Sequence, residues 1–366
     1  LLTDVAPAGP AHMGPWGLAR SVRAEAMLPL RCMVADVTTA FAHGHTISEP
    51  EYVVQRATHR VPRLTTAPPS FEGSIRFETG AAGGHVVTGG TGGLGLLTGR
   101  WLAQRGASHL VLASRSGALA RDAGVQWKAA QSSGVRIGLE SCDTSDSVHV
   151  WRLVVRVAAL TGVWHAAGCL ADAMLPNQDA RAFACVLAPK AHGAHSLHAT
   201  TMTAAMRSFA LFSSMVALFG GSGQANYSSA NVCLDALATC RQADGAAACS
   251  VQWGAWAETG MASRGAAGER MAAMEASSGV SRIRLAQGLE ALSAATQAAA
   301  PPVLGMVPVV WSLYLAGAAA VPAFLVKLAP KVKREQRGGV VASMTASKSG
   351  DVSLEVVLEF VTRTAG

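Results

Sequence analysis

From residue 85 onward, short runs dominated by apolar, often β-branched residues alternate with longer stretches whose apolar positions recur every three to four residues. The runs occupy 85–88, 109–113, 135–140, 162–165, 208–212, 249–253 and 303–307. An unbroken apolar run suits a strand whose sheet is covered on both faces, and helical stretches such as 94–105 and 148–160 supply the cover. Seven such strands joined by helices predict an α/β fold, a doubly wound parallel sheet of the Rossmann type. The first eighty residues carry a weaker rhythm: a helix over 16–26 and a strand over 30–37, with no glycine-rich turn. They are expected to form a smaller, degenerate Rossmann-like piece that binds no cofactor.

The expected divisions are therefore 1–80 for this structural subdomain and 81–320 for the doubly wound, catalytic one. A linker rich in Lys, Arg, Ser and Gly follows over 321–350. In 351–366, Leu354, Val357, Leu358 and Phe360 have helical spacing, as if another domain began there.

Half of the 366 residues are apolar and 14% are charged, which excludes a disordered chain. The formal charge of +7 is spread over 24 Arg and 6 Lys without an aromatic and basic stripe, so nucleic acid is not an expected partner. The dense basic cluster over 327–337 reads as a solvated linker or as a docking patch for an acidic partner. Seven cysteines form no CxxC pair and no metal-ligand spacing. Their odd number reads as reduced thiols in a reducing compartment, the cytoplasm or an organelle, with no metal site. Asp4 and two early prolines interrupt any signal-peptide pattern, and the apolar stretch 311–326 is too short to span a bilayer. No membrane partner is expected.

The strongest local motif is Thr88-Gly89-Gly90-Thr91-Gly92-Gly93-Leu94-Gly95, directly after a predicted strand and opening a predicted helix. Glycines there let the chain turn sharply and let a pyrophosphate approach the free N–H groups of the helix N-terminus. The next strand ends in Ser114-Arg115. An acidic residue at that point would hold the ribose hydroxyls of NAD, whereas an arginine can pair with the 2′-phosphate of NADP. Arg115 alone is equally well a solvated strand-end residue. Asp143, after the third strand, can accept from an adenine amino group or cap the following helix, or do both.

Scarcity marks the catalytic candidates. Tyr227 is one of three tyrosines, and Asn226 and Asn231 are two of three asparagines. Lys190 is the only lysine between Lys128 and Lys327. Hydride delivery to a ketone leaves an alkoxide, which needs a proton donor and hydrogen bonds to its oxygen. Tyr227 can donate that proton, an ammonium beside it can lower its pKa, and a serine at the strand end, Ser213 or Ser214, can orient the carbonyl. Tyr227 and Asn231, four apart, share a helix face. In most short-chain dehydrogenases the position of Asn231 is a lysine, so spacing alone leaves Tyr227 open to a purely structural reading.

The stretches 85–95, 109–117, 162–168, 186–190, 211–214, 223–227 and 253–256 resemble, in order, the catalytic subdomain of polyketide synthase ketoreductases. These form a branch of the short-chain dehydrogenase/reductase superfamily. The resemblance implies NADPH as cofactor, with Ala166 and Ala167 joining the glycine turn in its site. The implied substrate is a β-ketoacyl thioester on the phosphopantetheine arm of an acyl carrier protein, among neighbouring synthase domains. In this family lysine and asparagine exchange places. Lys190 then contacts the nicotinamide ribose and lowers the tyrosine pKa, Tyr227 donates the proton, Ser214 orients the carbonyl, and Asn231 supports the geometry. The stretches 14–20 and 61–64 resemble the family's structural subdomain, here expected to lack its opening strand, and the tail from Asp351 resembles the first helix of a carrier domain.

Product configuration is expected to depend on Asp172, Phe219 and Gln224. Family members giving the D-alcohol carry Leu-Asp-Asp where this chain has Leu170-Ala171-Asp172, and the opposite class has tryptophan at the position of Phe219. A B-type product is expected. Residues 257–279, rich in Ala, Gly, Ser and Met, read as a mobile lid or as a plain surface helix. A non-reducing structural domain, a free-standing dehydrogenase and a fatty acid synthase reductase are the competing readings.

Overall fold

The structure, a computed structural model, describes residues 2–3, 13–34, 49–55, 58–66, 83–121, 123–259, 275, 278–316, 321–329 and 356–363. Most of the expected lid and most of the expected linker, from residue 330 on, lie outside the described residues.

The N-terminal part comprises β1 (Leu2–Thr3), α1 (Gly14–Ala26), β2 (Cys32–Val34), β3 (Glu51–Gln55) and β4 (Thr58–Thr66). The doubly wound part begins with β5 (Gly84–Thr88), α2 (Gly93–Gln104), β6 (His109–Ser114), α3 (Gly124–Gln131), β7 (Arg136–Ser141), α4 (Ser147–Val155) and β8 (Leu160–His165). It continues through α5 (Ala180–Leu187), a π-helical turn (Ala188–His192), α6 (Gly193–Thr201), β9 (Ser208–Ser214), α7 (Met215–Phe219) and α8 (Ala225–Ala243). β10 (Cys249–Trp253), α9 (Leu285–Ala294), β11 (Val303–Met306), α10 (Trp311–Ala316) and β12 (Val356–Arg363) complete it.

All seven expected strands of the doubly wound sheet are present, parallel, in the order β7-β6-β5-β8-β9-β10-β11. The order reverses between β5 and β8. At that point the loops beyond the strands' carboxyl ends part on either side and leave a crevice. Alternation along the strands divides the core. Val87, Leu110 and Leu112 face a layer with Leu97, Trp101, Leu102 and Leu292, whereas Val86 and Val111 face Val150, Leu153, Leu197, Leu234 and Leu237. Both faces are thus covered, by α2, α3 and α9 on one side and α4, α6 and α8 on the other.

Three expectations need correction. Helix α4 ends at Val155, and Leu160, expected within it, opens β8; Ala159 takes a left-handed backbone (φ 48°), which a helix cannot continue through. Of the strand expected over 30–37, the described residues place Leu30 and Arg31 outside it and Cys32–Val34 in β2, while 35–37 lie outside the described residues. The tail, expected to be helical, is strand β12 over its described residues. It lies antiparallel to both β4 and β11 and joins the two sheets into one of twelve strands. Its run of Val, Leu, Phe and Thr has high strand propensity, and the edges of β4 and β11 that no other described strand covers supply backbone partners.

The N-terminal part is built onto the catalytic half through α1, which packs along α8. A Cβ on Gly17 would lie 2.5 Å from the carbonyl oxygen of Ser228, so only glycine permits this backbone approach. Trp16 is fully buried beside Ala217 and Val232. Arg20 grips Glu51 of β3 with two bonds, 2.9 and 2.6 Å, tying helix to sheet.

Candidate active site

The glycine turn sits at the carboxyl end of β5. Gly89 has φ +67°, and a Cβ there would meet the Ala166 carbonyl at 2.7 Å. A Cβ on Gly95 would stand 2.2 Å from the Gly89 oxygen, and one on Gly90 would stand 2.6 Å from the Val87 oxygen. These three glycines are required by the turn itself. Gly92, the residue before α2, has its nearest neighbour at 3.7 Å, so the helix N-terminus stays open with Gly93 and Leu94 as its first residues. Thr88 and Thr91 are buried in the turn, and the Ala166 N–H donates to the Thr88 carbonyl (3.1 Å), bringing the Ala166-Ala167 segment against Gly89. This cradle, unfilled by any side chain, fits a dinucleotide pyrophosphate.

Ser114 ends β6, and Arg115 follows it, exposed. The Asp143 carboxylate accepts from the Ser145 N–H (3.0 Å) and hydroxyl (2.7 Å) and is held below the usual carboxylate range by those bonds. It does not cap α4. That role belongs to Asp146, whose side chain accepts from the N–H groups of Val148 and His149, because Asp146 is the residue directly before the helix.

Lys190 lies within the π-helical turn. Pro189 has no N–H to donate, so the helix running from α5 to α6 widens there. The buried ammonium donates to the Phe212 carbonyl (2.7 Å) and to Oδ1 of Asn231 (2.8 Å). It stands 5.2 Å from the centre of the Tyr227 ring. Asn231 in turn donates through Nδ2 to the Tyr227 carbonyl (2.8 Å) one turn back along α8. The four sequence candidates, Tyr227, Ser214, Lys190 and Asn231, are therefore brought together from α8, the end of β9 and the π turn. Ser214 caps α7, accepting from the Val216 N–H at 3.3 Å, while Ser213 donates to the Asn231 carbonyl (3.3 Å) and is structural.

The electrostatics follow from burial. Desolvation lowers the Lys190 pKa to about 7, against the pull of the buried Asp235 carboxyl and of Cys169. Desolvation raises the Tyr227 hydroxyl above its ordinary value, opposed by hydrogen bonds to Asn231 and Ser214. A tyrosine so placed is protonated and able to donate. Because the ammonium form of Lys190 prevails only below about pH 7, ketone reduction is expected to slow as pH rises through that value. A pH profile of kcat/KM checks this; Lys190→Arg, always charged, should remove the inflection.

Several residues that hold this arrangement were not singled out by the sequence. His165, fully buried at the end of β8, faces Thr88 Oγ1 through Nδ1 (2.7 Å) and the Lys190 carbonyl through Nε2 (2.9 Å). The carbonyl can only accept, so Nε2 carries the proton, and burial drives the ring pKa down to about 4. A neutral imidazole thus joins the glycine turn to the backbone of Lys190. Thr144 donates to the Pro189 carbonyl (3.0 Å), fixing the same π turn. Gly168 leaves room for the lysine stem, since a Cβ there would meet Lys190 Cε at 2.8 Å. His165 gave no separate signal because it ends an apolar strand like any core residue.

Of the three configuration candidates, two meet. Gln224 donates through Nε2 to Asp172 Oδ2 (3.0 Å). Around them the Ala173 N–H donates to the Gly223 carbonyl (3.0 Å), and Gln178 donates to both the Ala173 (2.8 Å) and Gly223 (3.2 Å) carbonyls. Phe219 is placed elsewhere, packed against Tyr314 and Phe324 at ring distances of 5.6 and 6.2 Å. It lines a cavity of about 670 Å³ between α1, α7 and residues 322–324. Among the described residues no helix is long and apolar enough to cross a membrane, and no His, Cys, Asp and Glu cluster could hold a metal.

A parallel doubly wound sheet that gathers tyrosine, lysine, serine and asparagine beside a glycine turn, at its point of strand reversal, defines a short-chain dehydrogenase/reductase domain. Residues 83–258 match the KR domain family, and over this stretch the chain belongs to the ketoreductase domains of polyketide synthases. It is 44% identical over 215 residues to polyketide synthase GfsB of Streptomyces halstedii, covering 58% of this chain and 4% of that protein. It is 38% identical over 272 residues to GfsA of the same organism, covering 70% of this chain and 4% of that one. The chain thus spans a small fraction of these relatives. Among solved structures, A-type ketoreductases from a modular polyketide synthase superpose with a TM-score of 0.78 at 29% identity, covering 89% of this chain and 72% of theirs. The ketoreductase PlmKR1 from the first module of phoslactomycin biosynthesis in Streptomyces sp. HK803 gives 0.76 at 27%, covering 90% and 80%.

Proposed function

We propose that the chain reduces a β-ketoacyl thioester, carried on the phosphopantetheine arm of an acyl carrier protein, to the β-hydroxyacyl thioester with NADPH, beside neighbouring domains of a modular polyketide synthase. The observation that carries this reading is the convergence of Tyr227, Ser214, Lys190 and Asn231 at the crevice where the glycine turn opens. A bound nicotinamide supplies the hydride. The Ser214 hydroxyl and the Tyr227 hydroxyl hydrogen-bond the ketone oxygen and fix which carbon faces the cofactor. As charge grows on that oxygen, the Tyr227 proton moves to it, and the nearby Lys190 ammonium stabilises the phenolate left behind.

The preference for the phosphorylated cofactor rests on Arg115. It stands exposed just past β6, with no carboxylate in its place to select ribose hydroxyls. Asp143, rigid through Ser145, is suited to accept from the adenine amino group. The product is B-type, since Asp172 is retained and held by Gln224 while Phe219 stands where the opposite class has tryptophan. In this reading residues 1–80 and 81–320 act as bracing and catalytic subdomains.

The deciding measurement is oxidation of NADPH by the purified chain with a β-ketoacyl pantetheine thioester. Turnover with NADPH, and at least about tenfold less with NADH, is expected from loss of the charge-assisted arginine–phosphate bonds. A folded chain that binds NADPH and reduces nothing would sink the proposal in favour of a purely structural domain.

A further inference from the structure

The N-terminal part does more than brace the sheet. Three side chains of α1 reach α7 and the loop that joins it to α8, directly before the helix that carries Tyr227. Arg20 donates to the Ala217 carbonyl, Ser21 accepts from the Gly221 N–H (3.2 Å), and Glu25 accepts from the Gly223 N–H (2.9 Å). A Cβ on Gly220 would lie 2.4 Å from the Arg20 carbonyl, so the two backbones touch there.

Glu25 differs from the other two. Its second oxygen accepts from the Leu175 N–H (2.6 Å), in the segment that follows Asp172. One carboxylate therefore holds two backbone N–H groups that lie 48 residues apart in sequence and belong to the two walls bearing Asp172 and Gln224. An anionic acceptor shared by two peptide donors makes stronger bonds than neutral partners would. It leaves neither donor free to turn toward water. Of the other links between the walls, those through Gln178 and the Ala173–Gly223 pair are neutral, and the Gln224–Asp172 bond has a single carboxylate-bound donor.

We infer that Glu25 is a specificity-determining positioning residue: it clamps the Asp172 loop to the start of the catalytic helix, so that α1 sets the shape in which the acyl chain presents one face of its ketone. This deepens the reductase reading and rests on it. The clamp touches neither the cofactor turn nor Lys190. Its loss is therefore felt in substrate placement and product configuration before it is felt in the chemical step.

The test uses the full chain and the variants Glu25→Gln and Glu25→Ala. Glutamine keeps the shape and one accepting oxygen but must leave the other N–H without an acceptor. Two readouts are taken: amide hydrogen exchange over residues 171–178 and 220–224, and reduction of a 3-oxopentanoyl pantetheine thioester with chiral separation of the alcohol. Exchange at Leu175 or Gly223 should quicken by about tenfold or more. The minor enantiomer should rise by about tenfold, and KM should rise more than kcat falls. Parent-like exchange in both variants overturns the clamp. Faster exchange with an unchanged enantiomer ratio and KM overturns the specificity role. A parent that reduces nothing overturns the reductase reading and the specificity role together, and the exchange data then judge the clamp by themselves.

Discussion

Tyr227→Phe is expected to lower turnover by about 10² to 10⁴-fold, which is the usual worth of a positioned general acid. At about 1.4 kcal/mol per decade this is roughly 3–5 kcal/mol of barrier. The substitution removes a hydroxyl and leaves the ring. The ring packs with Val186, Ala230 and Val216, so the wall of the crevice stays filled. The Lys190 ammonium keeps both of its described acceptors, the Phe212 carbonyl and Asn231, neither of which involves the tyrosine hydroxyl. Binding of the dinucleotide at the glycine turn should therefore survive, measured by fluorescence titration with NADPH, while the alkoxide loses its proton source. The hydroxyl's partner Ser214 keeps its bond to the Val216 N–H. A variant that turns over within about threefold of the parent would mean the proton comes from elsewhere, against the general-acid role.

The doubly wound half was legible because its strands are buried on both faces. β5, β9 and β10 are buried throughout and carry no Asp, Glu, Lys or Arg, so they read as mainly apolar runs in the sequence. β3 and β4 escaped notice because their charges are satisfied by ion pairs that only the fold creates: Glu51 by Arg20, and Arg63 by Glu49 at 2.5 Å. Pro62 within β4 further disguises it. β12 was misread for a different reason. Leu354, Val357, Leu358 and Phe360 satisfy a helical template equally well, and only the long-range pairing with β4 decides between the two.

The site divides the same way. Tyr227, Lys190 and Asn231, proposed for the chemistry, stood out as rare types in an apolar, arginine-rich chain, Ser214 stood out only by its place at a strand end, and the family resemblance supplied the proposed roles. Residues that hold them did not. His165 looks like strand interior, Glu25 like helix surface, and Thr144 like a turn, because their bonds run to backbone atoms of distant segments. The fold provides the acceptors and donors that give those side chains meaning.

Gly168→Ala tests how far the lysine's placement matters without touching the lysine. The added methyl would stand 2.8 Å from Lys190 Cε, 3.3 Å from Cγ and 3.5 Å from Cδ, inside van der Waals contact along much of the stem. The stem cannot simply swing aside, since its ammonium is buried and bound at 2.7 and 2.8 Å to Phe212 and Asn231. Nor can the segment bearing Gly168 retreat freely, because the Ala166 N–H is fastened to the Thr88 carbonyl at 3.1 Å. The lysine must give up one of its two bonds, each worth about 1.5–3 kcal/mol with a charged donor. Turnover is expected to fall by about 10- to 100-fold, and the pH inflection near 7 should move with the ammonium. Gly124→Ala supplies the control. A Cβ at Gly124 meets nothing within 4 Å, and the residue opens α3 far from the lysine's partners. Helix propensity there favours alanine, so the control should fold at least as well as the parent and keep its activity. If Gly168→Ala instead matches that control in rate and pH profile, the position of Lys190 is not what limits the reaction, and the ammonium's role reduces to holding Asn231 and the strand end in place.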